Sequence, residues 1–202
     1  MDFIEHEDRA IQAEALAVAV AGDIAEAIAA EGRAAIAVPG GSTPRPFLAA
    51  LAAAPVDWSA VAVMATDERW APPSDERSNE GMIRAAMAAA PIRFAPFWIE
   101  DETPHAAAKA LTAQIAPLTP LTSVVIGMGA DMHCASLFPG GDGLVEAMSP
   151  SCETLVLPMT APGAPEPRVT LTLPALIGAR RLRLMISGEE KKDALDRALE
   201  MR

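Results

Sequence analysis

The chain has 202 residues, of which 51% are hydrophobic, and it carries a formal net charge of −11 at pH 7. The length and the apolar content suit one domain with its own core. The negative charge argues against nucleic acid or an anionic membrane surface as the main partner. A small anionic ligand is still compatible with this charge, because it needs only a few local donors.

Three further features of the composition bear on the compartment. No apolar run reaches the roughly 18 residues of a membrane span. The start of the chain lacks a basic segment followed by a hydrophobic one, the pattern of a secretory signal. Cys134 and Cys152 are too few for a disulfide framework. We therefore expect a cytoplasmic enzyme.

Helical and strand patterns alternate along the chain. The first half predicts a helix at 8–31, a strand at 34–38, a helix at 44–53 and a strand at 61–66. A polar loop at 67–78 and a helix from Asn79 follow. Next come a weak strand at 92–99, a helix at 104–116, and strands at 121–126 and 154–157. The remainder predicts a proline-rich loop at 158–167, strands at 169–171 and 181–187, and a helix at 188–201.

This alternation predicts an α/β fold of Rossmann-like type. The expected architecture is a doubly wound, mostly parallel sheet with helices on both faces, in three layers. The sequence has no internal repeat and no low-complexity segment, and the proline-rich loop is too short for a domain linker. Residues 1–202 are therefore predicted to form a single domain.

Residues 127–140 form the most informative stretch, Gly-Met-Gly-Ala-Asp-Met-His-Cys-Ala-Ser-Leu-Phe-Pro-Gly. They follow a predicted strand, and open α/β sheets bind ligands at the carboxyl ends of their strands. His133 is one of three histidines, and imidazole is the side chain best suited to proton transfer near neutral pH. A catalytic loop and a simple turn with a satisfied histidine both stay open on this stretch alone.

A glycine-rich turn joins the first predicted strand to the helix after it. Gly40 and Gly41 let the backbone approach a ligand closely, and Ser42 and Thr43 supply hydroxyl groups. With Pro44 in the first helical turn, Thr43 is the predicted N-cap, and the free N–H groups there favour an anion such as phosphate. The alternative is a tight turn with an ordinary cap.

Two more strand ends carry charged side chains. Asp67, Glu68 and Arg69 follow the second strand, and Arg69 is suited to bidentate phosphate binding. A solvated loop with a local ion pair is the alternative, and Ser78–Asn79 indicates the cap of the next helix. After the last strand, Lys191 lies in the first turn of a helix, where its charge opposes the helix dipole unless it reaches an anion.

In a parallel sheet these loops meet at one edge, and their convergence favours a site for a phosphorylated ligand. His6, His105 and His133 do not have the spacing of metal ligands, so no metal is expected. A nucleophilic pair of Cys134 with His133 is disfavoured, because neighbours on an extended loop usually point apart.

Taken in chain order, these segments resemble the 6-phosphogluconolactonase family. The resemblance rests on Pro39–Pro46, Asp67–Arg69, Ser78–Met82, Gly127–Gly140, Arg168–Leu176 and Gly188–Lys191. Together they extend over nearly the whole chain, and Ala135–Gly140 is quite specific. The resemblance implies hydrolysis of 6-phospho-D-glucono-1,5-lactone to 6-phosphogluconate in the oxidative pentose phosphate pathway, without metal or cofactor.

The resemblance also implies roles for individual residues. His133 is the general base that activates water, and Asp131 orients or polarises its imidazole. The implied phosphate contacts are Gly40, Gly41, Ser42, Thr43, Arg69 and Lys191. The implied sugar or supporting contacts are Asp67, Asn79 and Arg168. The expected partner is a phosphosugar lactone, with no nucleic acid and no membrane, and the expected state is a monomer or a weak homodimer.

Two features depart from the family's pattern. Met132 and Cys134 flank His133, where the family usually has glycine and threonine. If the backbone at residue 132 has a positive φ, Met132 is strained there. The sequence also stops at Arg202, whereas relatives generally continue through another strand-like segment, so an edge strand is either lost or outside this sequence.

Two alternative functions stay open. Glucosamine-6-phosphate deaminases share the fold and both loops but carry a glutamate five residues after the histidine. This chain has Phe138 at that position, and a phenyl ring cannot transfer a proton. A non-catalytic sugar-phosphate-binding protein would keep the phosphate contacts without turnover.

Overall fold

The computed structural model of the chain describes residues 2–200, apart from the side chain of residue 165. The helices are α1 (Arg9–Glu31), α2 (Arg45–Ala52), α3 (Asn79–Ala86), α4 (Pro104–Ile115), α5 (Leu144–Ala147), α6 (Leu173–Ile177) and α7 (Glu189–Glu200). The strands are β1 (Ala34–Val38), β2 (Val61–Ala65), β3 (Asp67–Arg69), β4 (Arg93–Phe94), β5 (Ser123–Ile126), β6 (Val156–Ala161), β7 (Ala164–Leu171) and β8 (Leu182–Leu184).

Five of these strands form a parallel sheet in the order β4-β2-β1-β5-β8. The chain runs outward from β1 in one direction through β2 and in the other through β5. The loops that follow β1 and β5 therefore leave the sheet side by side and in opposite senses, which opens a crevice between them. The glycine-rich turn and the His133 loop are these two loops.

Alternate residues of the central strands face two separate cores, as a sheet covered on both sides requires. Ile36 and Val63 pack toward α1, α2 and α3 on one side. Ala37, Met64 and Val124 pack toward α4, α6 and the smaller sheet on the other side. The predicted α/β fold, with a mostly parallel sheet between two outer layers, is confirmed.

The smaller sheet is antiparallel, with the order β3-β7-β6, and the sequence did not predict it. Thr66 connects it to the main sheet, because its N–H donates to the Val38 carbonyl and its carbonyl accepts from the Leu171 N–H. Asp67–Arg69, expected as part of a polar loop, is β3. The proline-rich stretch 158–167, also expected as a loop, lies within the β6–β7 hairpin.

The prolines misled the prediction because proline lacks the N–H that a ladder requires. Pro158 lies on β6, which is an edge strand, so one side of its backbone needs no partner. Pro167 contributes its carbonyl, which accepts from the Trp70 N–H at 2.9 Å. Both positions use only bonds that proline can form.

The five predicted helices begin within one residue of their predicted starts, whereas the short helices α5 and α6 were not predicted. Ser78 caps α3 as predicted, since its hydroxyl accepts from the Gly81 N–H at 3.1 Å. The predicted cap at Thr43 is wrong, because Pro44 holds that position without a side-chain hydrogen bond. The Arg45 N–H, two residues after Thr43, points instead to the Ser42 carbonyl. The predicted end of the last helix at residue 201 lies outside the described residues.

Candidate active site

A tight turn after β5 presents His133. The Gly129 N–H donates to the His133 carbonyl at 2.8 Å, and the Met132 N–H donates to the Gly129 carbonyl at 3.0 Å. A Cβ at residue 129 would lie 2.2 Å from Asp131 Oδ1 and 2.3 Å from His133 Nδ1. Glycine is therefore required at this position, because any side chain would separate Asp131 from His133.

The strain expected at Met132 is present, since its φ is 69°. Ala135, on the other side of His133, also has a positive φ, at 51°. Few L-residues adopt this left-handed region, and each costs about 1–2 kcal/mol relative to right-handed backbone. The turn thus holds His133 between two strained residues, a feature that often accompanies functional sites.

Asp131 and His133 form a close pair, with Oδ1 and Nδ1 2.5 Å apart. Partial burial raises the pKa of Asp131, but the hydrogen bond and charge of His133 outweigh this, so the pKa lies below its ordinary value. The His133 side chain is 29% exposed. Because Nδ1 faces the carboxylate, Nε2 is the nitrogen left to accept a proton from water.

Asp67 connects the His133 loop to the smaller sheet and to α3. Its Oδ2 accepts from Ser136 Oγ at 2.5 Å and lies 3.8 Å from Arg168 Nη1. Its carbonyl accepts from Asn79 Nδ2 at 2.8 Å. All four residues are largely buried, so these contacts fix the relative position of three separate segments.

The Phe138 ring contacts both Arg168 and His133. The Arg168 guanidinium carbon lies 5.3 Å from the Phe138 ring centre, and that ring lies 4.4 Å from the His133 ring. Burial lowers the pKa of Arg168, an effect that the nearby Asp67 opposes. Its Nε is buried without a partner among residues 2–200. A guanidinium with an unused buried donor, one ring away from an imidazole, is suited to bind a polar ligand.

The glycine-rich turn lies directly against α3. A Cβ at Gly40 would lie 1.9 Å from Asn79 Oδ1, so residue 40 must be glycine for the turn to reach that helix. Gly41 has a φ of 92°, which also favours glycine. Beyond it, Ser42 and Thr43 line a cleft of about 270 Å³. The predicted residues Gly40, Asn79, Asp67, Arg168, His133 and Asp131 therefore lie along one continuous series of neighbours.

The other two predicted cations, Arg69 and Lys191, do not line the cleft. Arg69 Nη1 donates to the Arg77 carbonyl at 2.5 Å, and its Nε is buried without a partner among residues 2–200. Arg69 pairs with Arg168 across β3 and β7 and is not among the residues lining the cleft. Lys191 is half-buried in the first turn of α7 and has no ion pair within the described part of the chain.

Glu68, the other carboxylate of this strand, has a structural role. It accepts from the N–H groups of Arg69, Asn79 and Glu80, each at 2.7 Å, and from Ser78 Oγ at 3.0 Å. Burial raises its pKa, while these four hydrogen bonds act in the opposite direction. Glu68 thereby joins β3 to the start of α3 and positions Asp67 and Asn79 on either side of it.

Sequence reasoning missed three residues near the site, namely Arg9, Gln12 and Ser136. Ser136 stood inside a quoted motif, but its bond to Asp67 joins residues 69 positions apart. Arg9 carried a usable signal, because it is a cation in a first helical turn that has no acidic residue. Lys191 was also predicted as a cation in a first helical turn, although that turn of α7 contains Glu189 and Glu190. Gln12 carried none.

The chain matches a known protein family over almost its whole length. Residues 7–202 match the family described as glucosamine-6-phosphate isomerases/6-phosphogluconolactonase. The 6-phosphogluconolactonase of Rhizobium meliloti (strain 1021) is 45% identical over 190 residues, which are 92% of this chain and 82% of the relative. The chain belongs to the glucosamine-6-phosphate isomerase/6-phosphogluconolactonase family.

Solved structures of this family agree with the fold. The crystal structure of a 6-phosphogluconolactonase from Shewanella baltica OS155 has a TM-score of 0.90 and 30% identity, covering 96% of this chain and 84% of that one. A monomeric glucosamine-6-phosphate deaminase has a TM-score of 0.80 at 17% identity, covering 100% of this chain and 88% of that one. The second likeness concerns the fold alone.

Two further findings on the described residues concern metal binding and membrane spans. Across residues 2–200, no group of three or more His, Cys, Asp or Glu side chains is placed to hold a metal ion. None of the described helices is long and apolar enough to cross a membrane. The side chains gathered at the crevice are an imidazole–carboxylate pair, guanidinium groups and hydroxyls.

Proposed function

We propose that this chain hydrolyses 6-phospho-D-glucono-1,5-lactone to 6-phosphogluconate, as a 6-phosphogluconolactonase of the oxidative pentose phosphate pathway. The observation that carries the proposal is the Asp131–His133 pair on a strained turn, which leaves the same sheet edge as the glycine-rich turn whose Ser42 and Thr43 line a cleft. The names of relatives up to 45% identical over nearly the whole chain support the same reaction.

His133 is the proposed general base. Asp131 accepts a hydrogen bond from Nδ1, which leaves Nε2 as the nitrogen that can accept a proton. Nε2 takes a proton from a water molecule as its oxygen attacks the lactone carbonyl carbon. The bond from that carbon to the ring oxygen then breaks, and the ring oxygen takes the proton held by Nε2 to become a hydroxyl group, which restores the base. A lactone is already an activated ester, so a positioned water and one base suffice without a covalent intermediate.

The remaining predicted residues are proposed to bind the substrate. Ser42, Thr43 and the backbone N–H groups of their turn hold the phosphate, together with Lys191. Arg168, with its unused buried Nε, binds sugar oxygens, and Asp67 and Asn79 hold Arg168 and the glycine-rich turn in place. Arg69 is proposed as a further phosphate contact through its unused Nε.

The alternative deaminase reaction is not favoured. It would place an acid–base group five residues after the histidine, and here the ring of Phe138 packs on the imidazole at that position. For the protein as a whole we propose one domain over residues 1–202, acting in the cytoplasm as a monomer or weak homodimer. The net charge of −11 supports a small substrate as its partner, with no nucleic acid and no membrane.

The test is the rate of 6-phosphogluconolactone hydrolysis above the spontaneous background. We expect wild type to be active and His133→Ala to fall to the background rate. His105→Ala is the matched control, since His105 is exposed at the start of α4 and should leave the rate unchanged. If wild type shows only background hydrolysis, the proposed function is wrong. Turnover of glucosamine 6-phosphate would then identify a deaminase, and binding without turnover a sugar-phosphate-binding protein.

A further inference from the structure

Three separate segments of the chain line the cleft beside the glycine-rich turn. Ser42 and Thr43 form one side, and Ser187, after β8, forms another. The first turn of α1 closes the cleft with Arg9 and Gln12. A helix that begins more than 30 positions before the glycine-rich turn therefore contributes side chains to the proposed phosphate site.

Arg9 is an available cation on this wall. Its side chain is exposed, and within residues 2–200 it has no ion pair and no hydrogen bond. Its Nη2 lies 4.0 Å from the point where a Cβ at residue 188 would stand, so the guanidinium extends over the turn that leads into α7. Arg9 is also the first residue of α1, next to the N-cap Asp8, whose carboxylate accepts from the Ala10 and Ile11 N–H groups and leaves the Arg9 guanidinium unpaired.

Gln12 fixes α1 in this place. Its Nε2 donates to the Ile186 carbonyl at 2.8 Å, which joins α1 to the segment between β8 and α7. Its Oε1 is buried without a partner among the described residues. Residues three apart on a helix lie on the same face, so the bond made by Gln12 holds Arg9 against Ser187 and Gly188.

We infer that Arg9 is a phosphate-binding residue of this site and that Gln12 is its positioning residue. The guanidinium meets the substrate phosphate from the side opposite the Ser42 and Thr43 hydroxyls, and two of its N–H groups can bind two phosphate oxygens. This inference rests on the proposed function. It adds that α1 selects for the phosphorylated lactone over the same lactone without phosphate.

Kinetics with two substrates test the inference. Arg9→Gln should raise KM for 6-phosphogluconolactone about tenfold, as the loss of one exposed charge-assisted contact implies, with kcat nearly unchanged. KM for unphosphorylated glucono-1,5-lactone should not change. Arg9→Lys should recover part of the loss, because it restores the charge without the two-pronged geometry. Arg93→Gln removes an equal charge from the exposed start of β4 and should match wild type.

Binding of inorganic phosphate, measured by calorimetry, separates this inference from the proposed function. Wild type and Arg93→Gln should bind phosphate with equal affinity, and Arg9→Gln about tenfold more weakly. If wild type fails to hydrolyse the lactone but this pattern holds, the Arg9 site stands and the proposed reaction falls. If Arg9→Gln binds phosphate like wild type, or raises KM equally for both lactones, the inference about Arg9 is wrong.

Discussion

At the scale of single residues, the site depends on the pairing of Asp131 with His133. Asp131 keeps its negative charge to lower pH than an ordinary aspartate, because His133 lowers its pKa. The carboxylate accordingly holds Nδ1 throughout the range in which the enzyme operates.

This predicts the shape of the acid side of the pH–rate profile. Between about pH 8 and about pH 5, log(kcat) should not fall with a slope steeper than one, because Asp131 stays ionised there and adds no second protonation. Glucono-1,5-lactone is a useful substrate for this measurement, since it has no phosphate group that titrates in the same range. A limiting slope of two would mean that Asp131 also becomes protonated there, against the direction of its pKa.

A second residue-scale prediction concerns the strained turn. Met132 has a φ of 69°, and glycine removes the steric penalty of about 1–2 kcal/mol, although it also makes the unfolded chain more flexible. Met132→Gly should therefore raise the free energy of unfolding by up to about 1 kcal/mol. Met132→Ala is the control, because it keeps the Cβ and hence the strain. Urea denaturation of both variants measures the difference, and a glycine variant less stable than the alanine variant would contradict the expectation.

At the scale of secondary structure, β3 and α3 depend on one buried carboxylate. Four donors point at Glu68, and a glutamine there would turn an amide N–H toward at least one of them. Glu68→Gln should therefore lower the free energy of unfolding by about 2 kcal/mol. Glu100→Gln, at an exposed position, should have no measurable effect. Equal stability of the two variants in urea would show that these hydrogen bonds contribute nothing net.

The elements themselves differ in how far the sequence predicts them. α1 and β1 were predictable to within one residue, because their apolar residues repeat with helical or continuous spacing. β3 was not, because three consecutive charged residues favour a loop until their partners on β7 and α3 are known. The location of Arg9 in the cleft was equally inaccessible, since it depends on how α1 packs against a segment some 170 residues away.

At the scale of the whole molecule, the strand order brings the site together. The glycine-rich turn and the His133 loop adjoin because β1 and β5 are neighbours, although they are separated by some 85 residues in the sequence. Sequence reasoning could predict that both loops lie at the carboxyl edge of a parallel sheet. It could not give the order of the strands, which is set by the packing of the helices on both faces.

The outermost parallel strand, β8, also carries the turn that leads to Lys191, so its attachment matters for the site. Arg183 on β8 forms a two-pronged ion pair with Asp23 of α1, and its Nη1 also donates to Ser123 Oγ on β5 at 2.9 Å. The two charged side chains are only 26% and 11% exposed. A single arginine therefore joins the edge strand, its neighbour and the helix layer above them.

Removing this arginine should be costly to the whole fold. Arg183→Met keeps much of the side-chain volume but leaves the Asp23 carboxylate largely buried without its partner, and should lower the free energy of unfolding by about 2–3 kcal/mol. Arg180→Met is the matched control: Arg180 pairs with Glu31, but both side chains are more than one-third exposed, so its loss should cost less than about 0.5 kcal/mol.

The double variant Arg183→Met/Asp23→Leu should recover stability relative to Arg183→Met, because no unpaired charge remains. Urea denaturation of wild type and these three variants decides the matter. Equal losses for Arg183→Met and Arg180→Met would show that burial of the pair does not govern its contribution.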